Sequence, residues 1–136
     1  MAQNWRRNRL KTWALALLVL YWLALFVGTH VPRGPHELLP KNVSDKLLHL
    51  TAYGGLAFLI CLNWSLRRPL GWRQGAIVLA LLAGFGALDE VTQIPVGRDC
   101  DLFDWTADVT GATAGVGLFL LAASLFRLPE EDSGPV

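Results

Sequence analysis

The 136-residue sequence is poor in charge, and the charges that it has nearly cancel. Charged side chains make up 17% of the chain, with 12 Lys and Arg against 11 Asp and Glu, so the net charge is +1. This balance leaves no basic surface for nucleic acid. A hydrophobic fraction of 53% excludes a disordered chain. Phosphate-binding glycine loops, nucleotide fingerprints and nucleophilic serine or cysteine motifs are also absent from the sequence.

What the sequence has instead is four long apolar blocks, at about residues 12–31, 47–66, 75–94 and 102–126. At about 1.5 Å per residue, a helix of about 20 residues crosses the hydrocarbon core of a bilayer, which is roughly 30 Å thick. The alternative is a soluble bundle, but its helices would each show a polar face, and residues 76–88 offer none. We therefore predict an all-α polytopic membrane protein, a bundle of four transmembrane helices.

The first apolar block follows a basic segment, residues 1–11, and this order also occurs in secretory signal peptides. No clean small-x-small cleavage site follows the block, and the next segments are themselves apolar, so the sequence favours an uncleaved anchor. Residues 12–126 then form one membrane domain. Residues 127–136 are predicted to form a short, acidic, flexible tail.

Lysine and arginine residues near the block ends predict the orientation of the helices. One face would carry Arg6, Arg7, Arg9, Lys11, Arg67, Arg68, Arg73 and Arg127. The other face would carry Arg33, Lys41, Lys46 and Arg98. Because positive charge is enriched on the cytoplasmic side, both termini are expected in the cytoplasm.

With this orientation, the polar residues of the last three blocks lie near the outer membrane surface. They are Asp45, Lys46, His49 and Tyr53 in the second block, Asp89, Glu90 and Gln93 in the third, Arg98 and Asp101 in the loop, and Asp104 and Asp108 in the fourth. Two acids at mid-membrane would cost about 5 to 7 kcal/mol, so Asp89 and Glu90 are expected near the interface, paired or protonated. Because intramembrane ionisable residues usually serve function, we interpret this cluster as a site. The alternative is an ion-pair cluster that fixes helix register, with Lys46 and Arg98 neutralising some acids.

Helical spacing indicates which way these residues face. One face of the fourth block carries, at steps of three or four residues, Asp101, Asp104, Asp108, Gly111 and Gly115. Small residues allow a second helix to come close, so this face is expected to contact protein, and its acids to face the bundle interior. On the third block, Glu90 and Gln93 share a face, and Asp89 points about 100° away.

Two segments, residues 45–58 and 89–115, hold most of these polar residues in a fixed order. They resemble the signature of the VanZ-like family of small membrane proteins: Asp-Lys-x-x-His-x-x-x-Tyr, then Glu-x-x-Gln, a Pro-x-x-Arg-like turn, and Asp-x-x-x-Asn/Asp-x-x-Gly. The matching positions are Asp45, Lys46, His49, Tyr53, Glu90, Gln93, Arg98, Asp104, Asp108 and Gly111. Asp108 stands where Asn is common, which adds a carboxylate.

The resemblance implies a four-helix protein of the cell envelope, located in the bacterial inner (cytoplasmic) membrane. The family takes its name from a member of a glycopeptide-resistance cluster associated with teicoplanin resistance. The resemblance implies no mechanism, and resistance does not transfer to every relative.

The first functional hypothesis is a site, enzymatic or binding, for an amphipathic envelope molecule such as a lipid-linked precursor or a lipoglycopeptide. The candidate catalytic residues are His49, Glu90, Asp104 and Asp108, and the candidate binding residues are Asp45, Lys46, Tyr53, Gln93, Arg98 and Asp101. His49 and Glu90 would act as general bases, and Arg98 would contact a phosphate or carboxylate. One histidine with several carboxylates can also bind a divalent cation, although the spacing matches no named metal motif. The sequence identifies no cofactor.

Two other functions remain open. One is a non-enzymatic membrane protein whose polar cluster is a structural plug or a partner contact. The other is a small proton-coupled transporter, which is disfavoured because residues 58–62, 77–82 and 116–121, in the cytoplasmic half, are nearly bare of polar groups. Outside the cluster, His30 and His36 are expected to be solvated residues of the outer loop.

Overall fold

The computed structural model describes residues 2–31 and 44–125, and the regular structure in them is helical. The helices are α1 (Ala2–His30), α2 (Asp45–Ser65), α3 (Trp72–Gln93) and α4 (Leu102–Leu125), with a short 3₁₀ turn at Ile94–Val96 between α3 and α4. Each of the four is long and apolar enough to cross a membrane, so the prediction of a four-helix membrane protein is confirmed. The predictions for His36, Arg33, Lys41, Arg127 and the acidic tail lie outside the described residues.

The helix boundaries agree with the apolar blocks to within a few residues, except at the start of α1. That helix begins at Ala2, so the basic segment predicted at residues 1–11 belongs to the same helix as the first apolar block. At the start of α2, Ser44 is the N-cap, because its side chain accepts a hydrogen bond of 3.2 Å from the backbone N–H of Leu47.

The connection between α3 and α4 is a tight turn at one end of the bundle. It contains Pro95 in the 3₁₀ segment, and it ends at Gly97, whose φ of 79° lies in the left-handed region that favours glycine. The turn therefore brings the end of α3 and the start of α4 to the same level as the start of α2.

Helices α2 and α4 pack backbone to backbone through the small residues predicted on α4. A Cβ atom added at Gly111 would overlap the carbonyl oxygen of Leu50, and one added at Gly115 would overlap that of Gly54. The close approach predicted from the spacing of Gly111 and Gly115 is therefore confirmed.

Between this glycine contact and the end of α2, the interior of the bundle is mainly apolar, and the outer surface is apolar as well. The buried core includes Tyr53, Leu56, Cys61, Val78, Leu82, Val116 and Phe119. Large side chains such as Leu20, Leu81 and Leu118 are exposed, which is the pattern expected when lipid covers the helices. Helix α1 lies against α2 and α3 and is the least buried. In its most apolar stretch of 18 residues, 11% of the residues are buried, against 33% in the corresponding stretch of each other helix.

Candidate functional site

Four helix ends meet at one end of the bundle, where α1 and α3 end and α2 and α4 begin, and we call this the polar end. Six of the seven buried polar residues among those described lie there: His49, Asp89, Glu90, Gln93, Asp104 and Asp108. The seventh, Asn63, lies near the opposite end of α2. The predicted clustering of polar residues at one level is thus present inside the protein.

At the centre of the polar end, a buried histidine from α2 is paired with a buried aspartate from α4. His49 Nδ1 lies 2.9 Å from Asp108 Oδ1, and both side chains are almost fully enclosed. If Asp108 is ionised, it can only accept, so Nδ1 donates and Nε2 keeps its lone pair. A carboxylate that fixes the tautomer in this way prepares the other ring nitrogen to accept a proton or to bind a ligand.

Glu90 on α3 lies beside the pair of His49 and Asp108. Only one of its two carboxylate oxygens has a hydrogen-bond partner among the described residues. Its Oε2 accepts a hydrogen bond of 2.9 Å from the backbone N–H of Asp101, whereas its Oε1 is buried with no hydrogen-bond partner among the described residues. Asp108 Oδ2 and the hydroxyl of Tyr53 are buried and unpartnered in the same way. Each such atom costs about 1 to 3 kcal/mol in a protein interior if it stays without a partner, so the three atoms together are positions where water, an ion or a ligand could bind.

The basic side chains of the polar end form ion pairs around this centre. Lys46 Nζ lies 3.0 Å from Asp101 Oδ2 and 2.9 Å from Asp104 Oδ1. Arg98 Nη2 lies 3.4 Å from Asp45 Oδ2. The expected neutralisation of some acids by Lys46 and Arg98 is therefore present.

Asp101 lies in the loop before α4. The pKa of its carboxyl is lowered, first by the backbone N–H of Phe103, which donates a hydrogen bond of 2.8 Å, and then by Lys46.

A pocket of about 340 Å³ lies between α1 and α2, beside His49. Its apolar lining includes Ala24 and Leu25 of α1 and Leu48 of α2. Its polar lining includes Asp45, His49, Thr29 and Arg98. Apolar walls with a few convergent polar groups are typical of a site for a small amphipathic ligand.

A comparison with known families identifies the family of the chain. The family model described as VanZ/LLP1 matches residues 2–123, which is nearly the whole chain. The chain belongs to the VanZ/LLP1 family. No curated protein and no solved structure matches it significantly. The match includes α1, which carries none of the motif residues, so the VanZ/LLP1 domain comprises all four helices.

In this VanZ/LLP1 domain the predicted catalytic residues fall into two overlapping groups. His49, Glu90 and Asp108 can each offer one ligand atom within 4.8 Å of the others, and so can Asp45, His49 and Asp104. Of the predicted binding residues, Asp45, Tyr53 and Arg98 line the pocket, Lys46 and Asp101 form the ion pairs, and Gln93 contacts Asp89.

Asp89 has partners that the sequence did not indicate. It is buried, and Thr29 of α1 donates a hydrogen bond of 3.2 Å to its Oδ1, while Gln93 Nε2 lies 3.3 Å from its Oδ2. The side of α3 that carries Asp89, away from Glu90, is thus covered by α1.

The expectation that His30 is a solvated loop residue is wrong. His30 is the last residue of α1, and its side chain is 15% exposed. The ring stacks on Phe26 with centroids 4.1 Å apart, and its Nε2 lies 3.0 Å from the hydroxyl of Thr92 on α3. The helix continues almost to the end of the apolar block, and packing of α1 on α3 leaves only 15% of the His30 side chain exposed.

Residues of α1 that line the pocket were missed by sequence reasoning. Tyr21 and Thr29 carry no motif and stand among leucines and valines. The only signal was that their side chains can form hydrogen bonds inside an otherwise apolar block, and that signal does not show which face of α1 contacts α2.

Proposed function

We propose that this VanZ/LLP1 protein binds an amphipathic molecule of the cell envelope in the pocket between α1 and α2, and thereby affects susceptibility to glycopeptides of the teicoplanin type. The observation that carries the proposal is the lining of that pocket, which joins apolar walls from Ala24, Leu25 and Leu48 to Asp45, His49 and Arg98. An acyl chain would fit the apolar walls, and a polar head group would fit beside the three polar side chains.

The charges around the pocket favour a head group that carries phosphate or carboxylate. Arg98 lines the pocket, and its guanidinium can bind such an anion in a bidentate manner. Asp45, which lies 3.4 Å from Arg98, keeps the guanidinium at the pocket wall in the structure described here. The predicted orientation would place this head group at the outer surface of the membrane, where envelope precursors are exposed.

His49 connects the pocket to the buried acids. It lines the pocket, and its Nδ1 is held by Asp108 at 2.9 Å. A histidine oriented by a carboxylate can act as a general base towards a hydroxyl or water on a bound ligand. The arrangement therefore supports modification of the ligand as well as binding.

A pocket-filling substitution tests the proposal. Gly28 lines the pocket, and a Cβ at this position meets nothing within 4 Å among the described residues, so Gly28→Leu should fill the space without disturbing the helices. We expect mass spectrometry of the purified protein to find at least about tenfold less co-purifying amphipathic envelope molecule, a loss equivalent to about 1.4 kcal/mol. Cells that express the variant should also lose any change in teicoplanin susceptibility that the unmodified protein causes.

Gly84→Leu is the matched control for this experiment. Gly84 lies exposed on α3, away from the pocket, and a Cβ there also meets nothing within 4 Å. Equal retention of envelope molecules by the unmodified protein and both variants would contradict the proposal. The ion pairs of Lys46 and Arg98 would then favour the structural role, in which the polar cluster fixes helix register.

A further inference from the structure

We propose that His49, Glu90 and Asp108 bind a divalent transition-metal ion. The three residues come from α2, α3 and α4, and each offers one nitrogen or oxygen atom within 4.8 Å of the others. They are buried and lie where the glycine contact between α2 and α4 brings the helices together. A metal at this point would join three helices through their side chains.

Unpartnered buried atoms are the second observation that points to a ligand here. Glu90 Oε1 and Asp108 Oδ2 have no partner among the described residues, although Glu90 is 3% exposed and Asp108 is 0% exposed. The hydroxyl of Tyr53, a residue outside the acidic cluster, is buried and unpartnered as well. Oxygen atoms in this state are satisfied when a cation binds between them.

The space next to these atoms is kept open by a glycine. A Cβ at Gly86 would lie 3.2 Å from Asp108 Oδ2 and 3.4 Å from the ring of Tyr53. Any larger residue at this position on α3 would therefore narrow the space beside the unpartnered carboxylate oxygen.

The balance of charge also favours a cation. Two carboxylates and one imidazole meet in the interior. Asp108 pairs with His49, whose ring is positive only when it is protonated, and among the described residues neither Lys46 nor Arg98 forms an ion pair with Glu90 or Asp108. Buried carboxylates require a positive partner, a metal or a proton.

The neighbouring group of Asp45, His49 and Asp104 is a weaker choice for the ion. Asp104 already accepts from Lys46 at 2.9 Å, and Asp45 already contacts Arg98 at 3.4 Å. A metal there would compete with two ion pairs. At Glu90 and Asp108 it would instead bind oxygens that have no other partner.

The donor set indicates the class of metal. One imidazole nitrogen with two carboxylates matches Zn²⁺ or Mn²⁺, and three protein ligands leave a coordination position open for water or substrate. Ca²⁺ prefers six to eight oxygen ligands, and Mg²⁺ prefers oxygen ligands in an octahedron, so both fit this set less well. The metal site does not depend on binding of the proposed envelope ligand. When His49 binds a metal, the lone pair of its ring is no longer free to act as a general base, so the two roles of His49 exclude each other.

The test uses the full chain in lipid nanodiscs after chelator treatment, with Zn²⁺ and Mn²⁺ added separately and binding followed by calorimetry. We expect one ion per chain for the unmodified protein, and at least about tenfold weaker binding for Glu90→Gln, which replaces a ligand oxygen without changing shape. Asp99→Asn is the matched control, because it makes the same carboxylate-to-amide change at an exposed residue of the loop between α3 and α4, outside the candidate site. If Glu90→Gln does not fold, Asp108→Asn replaces it with the same expectation.

Two outcomes would overturn the assignment. Failure of the unmodified protein to bind either ion would mean that protons neutralise Glu90 and Asp108. If Asp104→Asn weakens metal binding and Glu90→Gln does not, the ion binds instead to the neighbouring group of Asp45, His49 and Asp104. The proposed function fails separately, because Gly28→Leu leaves all three ligands in place and affects only the pocket.

Discussion

Helix α1 is held in the bundle differently from α2 and α4. The α2–α4 contact has backbone against backbone at Gly111 and Gly115, which leaves no room for a side chain between the two helices at these positions. Helix α1 is only 11% buried in its most apolar window and contacts its neighbours through side chains. The contact between α2 and α4 therefore positions the polar residues, whereas α1 closes one side of the pocket.

Two hydrogen bonds join α1 to α2, at different levels of the helix. Asn63 Nδ2 donates to the backbone oxygen of Ala14 at 2.9 Å, and the hydroxyl of Tyr21 donates to that of Ala52 at 3.0 Å. Tyr21 also lies against Gly55, where any Cβ would overlap its hydroxyl. These contacts tie α1 to α2 at two levels, at Ala14 and at Tyr21 in the middle of the apolar block, and they can be removed one at a time.

The largest effect is expected where the glycine contact is broken. Gly115→Leu places a side chain against the carbonyl of Gly54, so α2 and α4 must separate. We expect the free energy of unfolding in detergent to fall by about 3 kcal/mol or more, and the purified protein to lose metal binding as the three ligands move apart. Gly117→Leu is the control, because Gly117 is exposed on the same helix and a Cβ there meets nothing within 4 Å. Equal stability of the two variants would show that the close approach is not needed.

A smaller effect is expected for the buried amide that holds α1. Asn63→Leu keeps the branched shape of the side chain but removes the hydrogen bond that Nδ2 donates to Ala14 and the one of 3.1 Å that Oδ1 accepts from Arg67. Interhelical hydrogen bonds in membranes contribute about 0.6 to 1.7 kcal/mol. We expect a loss of stability in that range by thermal unfolding, with metal binding unchanged. The control is Ser65→Ala, because the Ser65 hydroxyl bonds only within α2, to Leu62. A loss of metal binding in Asn63→Leu would contradict the separation of roles between α1 and the other helices.

The sequence was sufficient for those parts of the fold that depend on local pattern. Hydropathy alone located four spans, and steps of three and four residues located the glycine contact, because both signals lie within a single helix. The position of His49, Glu90 and Asp108 near one end of the bundle followed from the same counting.

Hydropathy and residue spacing within one helix do not predict which side chains of different helices contact each other. Helix α1 is apolar on every side, so its sequence does not show that Thr29 faces Asp89 or that His30 packs on α3. Within the site, spacing placed Asp45 and His49 on one stripe of α2, but the partner of His49 is Asp108, on another helix. That pairing depends on how closely α2 and α4 approach, which is a property of the packed bundle.

The smallest effect is expected for Tyr21→Phe, and it sharpens the comparison most. The variant loses one hydrogen bond, to Ala52, so we expect stability to fall by about 0.6 kcal/mol in thermal unfolding. Tyr21 and Ala14 are seven residues apart on α1, about 10 Å along the helix, so the effects of Tyr21→Phe and Asn63→Leu should add. A coupling above about 0.5 kcal/mol between them would mean that α1 leaves the bundle as one unit. Additivity would instead show that α1 can loosen beside the pocket while Asn63 still holds its other half, which is the motion that entry of a ligand between α1 and α2 requires.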